Sequence, residues 1–198
     1  MAQQTNEANV HNVKDLMVGA IKTLGDVANA AIDALGGTFV TALASTKQVT
    51  TEATSLISGS VKGVIHAAAE AGQDLAKAAS GTVIGVVRAT KEAGTEMISA
   101  ITTTAGAVVK STSDVGGDIA GAAKGAVEGA IRGAREVGAS AEEAAQAAAL
   151  GAVKAARNIS GTIGEQVRDA VTGTISGVKV VLLEPFRSEG DKKPGSAS

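Results

Sequence analysis

An apolar residue recurs at every eleventh position along most of this chain. Eleven residues complete three helical turns at about 3.67 residues per turn, close to the roughly 3.6 of an ordinary α-helix, so one face can stay apolar along a long, nearly straight helix. The pattern therefore predicts an all-α protein with one very long or a few long amphipathic helices. Its apolar interaction face contains Val64, Leu75, Val86, Met97, Val108, Ile119, Ile57, Ile101 and Val167.

A longer period, two eleven-residue blocks in length, is superimposed on the first. Pairs of residues four apart alternate between small and acidic along the chain: Gly59/Gly63, Glu70/Asp74, Gly81/Gly85 and Glu92/Glu96. Such self-similarity is typical of a repeat architecture. The eleven-residue phase continues through the weakest helical points, Gly36, Thr103 and Gly116, where the helix could bend or turn. Because a hairpin loop usually resets the phase, we favour one continuous helix.

The chain divides into three zones. Residues 1–12 form a polar lead-in, residues 13–182 form the helical repeat body, and residues 183–198 form a tail that contains both prolines and that we expect to be disordered. The N-terminus lacks the pattern of a signal peptide. The longest uncharged runs have thirteen residues, against roughly 18–20 for a membrane-spanning helix. We therefore expect a cytoplasmic protein without a transmembrane segment, free or peripheral on a lipid or granule surface.

Charged residues are sorted to opposite edges of the apolar face. The basic edge contains Lys77, Arg88, Lys91, Lys110, Lys124, Arg132 and Arg135. The acidic edge contains Glu70, Asp74, Glu92, Glu96, Asp114 and Asp118. In parallel helices related by a rotation, the basic edge of one helix meets the acidic edge of the next. The pattern favours side-by-side parallel association of identical helices, as a homo-oligomer or polymer, in a right-handed or nearly straight coiled-coil-like arrangement.

Glycine is abundant where a helix would ordinarily avoid it. The chain has 25 glycines, and each costs about 0.8–1 kcal/mol relative to alanine inside a helix. An isolated helix of this composition is marginal, so another surface must stabilise it. An i, i+4 series allows another helix to approach closely. This close-packing series contains Gly117, Gly121, Gly125, Gly129 and Gly133.

The chain lacks the residue patterns of catalysis and of nucleic-acid binding. Its net charge is -2, which gives no basic footprint for nucleic acid. It has no cysteine, and its two histidines, His11 and His66, have no metal-ligand spacing. No candidate base stands beside a plausible nucleophile. We expect no catalytic residue, no metal, no cofactor and no enzymatic activity.

Several segments resemble a known class of repeat. The stretches Val61–Val64, Gly81–Val87 and Asp169–Thr174 are similar to the Val/Thr/Gly/Lys-rich eleven-residue repeats of perilipins and synucleins. The resemblance implies amphipathic helices that lie on lipid droplets or vesicles. This chain departs from that pattern by carrying acid along one border of its apolar face, which weakens the case for an anionic bilayer.

Three functions fit these observations. The first is a non-catalytic coat on a hydrophobic surface, such as a lipid droplet or storage granule, with helices side by side. The second is a self-assembling parallel helical scaffold or filament. The third is a disordered protein that protects during stress or desiccation.

Overall fold

The computed structural model describes residues 51–182, which form six α-helices and a two-stranded hairpin. The prediction of a mainly helical protein is confirmed for this range, with the hairpin as the exception to an all-α chain. The lead-in, Gly36 and the tail lie outside the described residues. The elements in chain order are α1 (Thr51–Glu70), α2 (Leu75–Ala93), α3 (Met97–Asp114), α4 (Ile119–Glu136), α5 (Ala141–Ile159), α6 (Gly161–Val171), β1 (Gly173–Ile175) and β2 (Val178–Val180).

Turns of three or four residues join the first five helices, and each contains a glycine with left-handed φ. These are Gly72 (64°), Gly94 (64°), Gly116 (66°) and Gly138 (72°). The amide after each glycine donates to a carbonyl five residues back, as in Gln73 N to Ala68 O at 2.9 Å. This is the Schellman ending, in which glycine avoids the Cβ strain of positive φ. The residue two positions after each glycine is the N-cap of the next helix: Asp74, Glu96, Asp118 and Ser140.

The prediction of one continuous helix is wrong for the described residues. The chain turns at Gly116, as one of the weak points allowed, but also at four sites that we did not single out. Three of them are at glycines with positive φ, and the fourth is at Ser160 between α5 and α6. Thr103 lies inside α3. The reasoning failed because the turn glycines follow one another at a constant interval of two eleven-residue blocks. Each helix with its turn thus has the length of two eleven-residue blocks. The turns therefore leave the eleven-residue phase of the sequence unchanged, where a hairpin loop was expected to reset it.

Helices two apart along the chain run parallel and pack closely. Gly125 of α4 lies on the backbone of Ala76 in α2, and Gly129, one turn later, lies on Ser80. The α3–α5 pair repeats this arrangement, and the α1–α3 and α4–α6 interfaces extend the two stacks. The helices therefore form two layers, one with α1, α3 and α5 and the other with α2, α4 and α6.

The predicted apolar face forms the protein's own core. Six of its members are fully buried: Ile57, Val64, Val86, Ile101, Val108 and Val167. The other three, Leu75, Met97 and Ile119, are partly buried and pack against that core. These residues therefore do not form an interaction face that is open to other molecules. Because the chain folds back at every turn, its successive apolar stripes cover one another.

A short hairpin follows α6 and packs on α5. Strands β1 and β2 pair antiparallel, with Ser176 and Gly177 at positive φ in the two-residue turn. Ile175, Val178 and Val180 are buried, while Arg135 Nη2 of α4 donates to Ser176 O at 3.0 Å. Hydrophobic burial and this bond hold the hairpin on the end of the array. Within residues 51–182, no helix combines the length and the apolar character needed to cross a membrane.

Candidate binding groove across three parallel helices

The outer surface of the α1/α3/α5 layer contains a groove of about 580 Å³. Three parallel helices contribute to its wall, which is lined by Ser58, Gly59, Lys62, Gly106, Ala107, Lys110, Ser111, Asp114, Ala155, Asn158 and Ile159. Four of the lining residues are glycine or alanine: Gly59, Gly106, Ala107 and Ala155. Their lack of larger side chains leaves room for the recess.

Two lysines dominate the electrostatics of this groove. Lys62 of α1 and Lys110 of α3 are both exposed, and neither forms an ion pair with another described residue. The hydroxyl-bearing Ser111 is 4% exposed, and Asn158 adds an amide. Asp114 is the single carboxylate of the lining. The groove can therefore bind through charge and hydrogen bonds, but it offers no base paired with a nucleophile.

Some of the close-packing glycines lie where two helices of this one chain meet. An added Cβ at Gly125 or Gly129 would overlap α2 backbone, and one at Gly133 would lie 3.1–3.3 Å from Val87 side-chain carbons. The first two members differ: Gly117 lies at the α3–α4 turn against Leu75, and Gly121 lies beside its own N-cap, Asp118. Three of the five glycines therefore form the α2–α4 contact.

Sequence reasoning missed an equivalent glycine in the other layer. An added Cβ at Gly151 of α5 would overlap the backbone of Thr102 in α3. A Cβ added at Gly106 of α3 would lie 3.3 Å from Gly151 O. Gly151 follows Gly129 by one full repeat of two eleven-residue blocks, so the longer period contained the signal. The prediction rested only on an unbroken series within one helix.

The acidic edge is not an edge of the folded array. Asp74, Glu96 and Asp118 are N-caps, whereas Glu70, Glu92 and Asp114 lie at or near helix C-termini. Asp74 and Asp118 accept bonds from backbone amides of the first helical turn, at 2.9–3.2 Å. The acidic pairs four residues apart thus span the turns. Asp74 and Asp118 satisfy amides that the helix leaves without partners, whereas the Glu96 side chain makes no such bond.

The basic edge stays exposed, but its arginines bind within the chain. Lys77, Arg88 and Lys91 lie on α2, Lys110 on α3, and Lys124, Arg132 and Arg135 on α4. Arg88 pairs with Glu136 of α4 at 2.7 Å, and Arg132 Nη2 donates to Ser80 Oγ of α2 at 2.6 Å. One basic-to-acidic pair, Arg88–Glu136, therefore joins two neighbouring helices of one layer. The predicted pairing between separate copies of the chain stays a prediction.

Residues 51–182 contain no group of three His, Cys, Asp or Glu side chains that could hold a metal ion. His66 Nε2 is buried there without a hydrogen-bond partner. No protein-family model and no curated protein matches this chain. The resemblance to perilipin and synuclein repeats thus stays a prediction.

Proposed function

We propose that this protein is a non-catalytic structural protein, a scaffold of stacked parallel helices that folds within one chain. Its partners would meet the solvent-facing sides of the two layers. We further propose that the repeat unit of two eleven-residue blocks arose by duplication, and that its helices associate in the nearly straight, coiled-coil-like manner suggested by the eleven-residue phase.

The observation that carries this proposal is the repeated backbone-to-backbone contact between helices two apart. Gly125 meets Ala76 in one layer and Gly151 meets Thr102 in the other, and the two pairs have the same separation along the chain. Such contacts bury the glycine and apolar surfaces that a coat protein would present to lipid. A self-supporting array explains why so glycine-rich a chain can fold without an external surface.

Circular dichroism of the full chain tests the proposal directly. We expect the helical signal to be the same at micromolar and nanomolar protein and to be unchanged by a neutral-lipid emulsion. A helix that forms only with emulsion would favour a coat, and disorder under every condition would favour the stress-protective alternative. Either result would refute a self-supporting scaffold.

Self-association is a separate part of the proposal. The Arg88–Glu136 pair between parallel helices suggests how charged helices of neighbouring copies could also pair, since opposite charges fix orientation more than they add affinity. Sedimentation velocity over a range of protein and salt concentrations tests this. We expect oligomers that grow with protein and dissociate with salt, while a monomer at all concentrations would exclude assembly.

A coat on a lipid droplet or storage granule is the second candidate. One observation favours it: among the described residues, the exposed large apolar side chains of the helices, Leu56, Ile98, Leu150 and Ile159, all lie in the α1/α3/α5 layer. The folded array would then attach by this layer and stay peripheral. Flotation with a neutral-lipid emulsion tests it. Leu150→Ser should reduce flotation, whereas Gln146→Ser, one turn earlier on α5, should not.

A further inference from the structure

The two lysines of the groove occupy neighbouring positions on parallel helices. Lys62 and Lys110 have the same separation along the chain as Arg88 of α2 and Glu136 of α4, which form an ion pair. In the α1/α3/α5 layer this offset places two like charges beside each other. Such a pair repels unless an anion lies between the ammonium groups.

We propose that this groove binds a small organic oxyanion with an apolar body, an alkyl phosphate or an alkyl carboxylate. The anionic head lies between Lys62 and Lys110, within reach of the Ser111 hydroxyl and the Asn158 amide. The apolar body lies over the small residues of the wall and against Ile159. This inference goes beyond the scaffold function but rests on the folded array proposed for it.

Charge and volume both support this class of ligand. Two lysines against one carboxylate leave the lining with a net positive charge, which disfavours a cation. A volume of about 580 Å³ falls within the roughly 300–1,000 Å³ of small-molecule sites, which are usually apolar with a few polar groups. Gly106, Ala107 and Ala155 supply the apolar wall. An inorganic anion alone would leave that wall uncovered.

Isothermal titration of the full chain with hexyl phosphate, hexanoate, inorganic phosphate and hexanol tests the proposal. We expect one saturable site for hexyl phosphate or hexanoate, with weaker binding of inorganic phosphate and of hexanol. The stronger of the first two identifies the oxyanion. The proposal would be overturned if neither hexyl phosphate nor hexanoate showed saturable binding. It would also be overturned if hexanol bound equally well, because the lysines would then contribute nothing to binding.

Matched variants locate the site. Lys62→Gln with Lys110→Gln should weaken hexyl phosphate binding by about tenfold or more, because each lysine supplies a charge-assisted hydrogen bond to the oxyanion. The control, Lys77→Gln with Lys124→Gln, makes the same charge change on the other layer and should alter binding less than about twofold. Equal losses in both pairs would indicate general charge attraction and refute a site.

Two single variants separate the head from the body of the ligand. Asp114→Asn removes the one opposing carboxylate and should tighten hexyl phosphate binding. Ala107→Leu fills the recess and should abolish the preference for hexyl phosphate over inorganic phosphate. Unchanged affinity in both would place the ligand elsewhere. The helical circular dichroism signal of each variant shows separately whether the helical array is still folded. If hexyl phosphate does not bind while the helical signal is complete, only the ligand site is refuted and not the scaffold.

Discussion

Adding one methyl group at Gly125 should destabilise the protein, although alanine is the better helix former. The gain in helix propensity is about 0.8–1 kcal/mol. The new Cβ, however, would overlap the carbonyl oxygen, carbonyl carbon and Cα of Ala76 in α2. Backbone atoms cannot move aside as the end of a flexible side chain can, so overpacking should cost about 1–3 kcal/mol. We expect a net loss of roughly 0–2 kcal/mol.

Gly63→Ala is the matched control for this change. Gly63 also lies inside a helix, but an added Cβ there meets no atom of residues 51–182 within 4 Å. This variant should keep the gain of about 0.8–1 kcal/mol in the free energy of unfolding. Urea unfolding followed by circular dichroism measures both variants, with equal slopes required for the comparison. If Gly125→Ala stabilised the protein as much as Gly63→Ala, the close α2–α4 contact would be refuted.

Three further changes probe the core, the surface pair and a cap. Val108→Asp buries a charge at a fully buried position and should abolish the helical signal in dilute solution, whereas a retained helix would contradict the core. Removing the Arg88–Glu136 pair, whose side chains are 46% and 43% exposed, should change stability by at most about 1 kcal/mol in a double-mutant cycle, and less in high salt. Asp118→Ala should cost about 1 kcal/mol in urea unfolding by removing an N-cap, while Asp118→Asn should restore most of it.

The helices and their close approach could be predicted because both depend on local spacing. Apolar periodicity identifies a helical face within one segment, and glycines four apart identify a surface that another helix can approach. The helix that packs on that surface could not be predicted in this way. Gly125 could have met a second chain as readily as α2, because the sequence of α4 contains nothing that specifies distance along the chain.

Only the turn at Gly116 was among the sites that the sequence singled out. Gly72, Gly94 and Gly138 are single glycines among many in this chain, and only their positive φ distinguishes them. Glu70 and Asp74 looked like one acidic turn of helix, but one ends α1 and the other caps α2. The groove could not be predicted for a further reason, since Lys62 and Lys110 become neighbours only after the chain has reversed twice.

The constant spacing of the turns also governs which length changes this architecture tolerates. Gaining or losing two helices with their turns, one helix for each layer, would lengthen or shorten the array and leave all later helices on their original sides. Gaining or losing a single helix with its turn would transfer every later helix to the opposite side, and lysines now facing one solvent surface would face the other. Natural variants of this fold should therefore differ in length by pairs of helices. Whether the number of added or lost helices is odd or even decides which solvent surface carries these lysines.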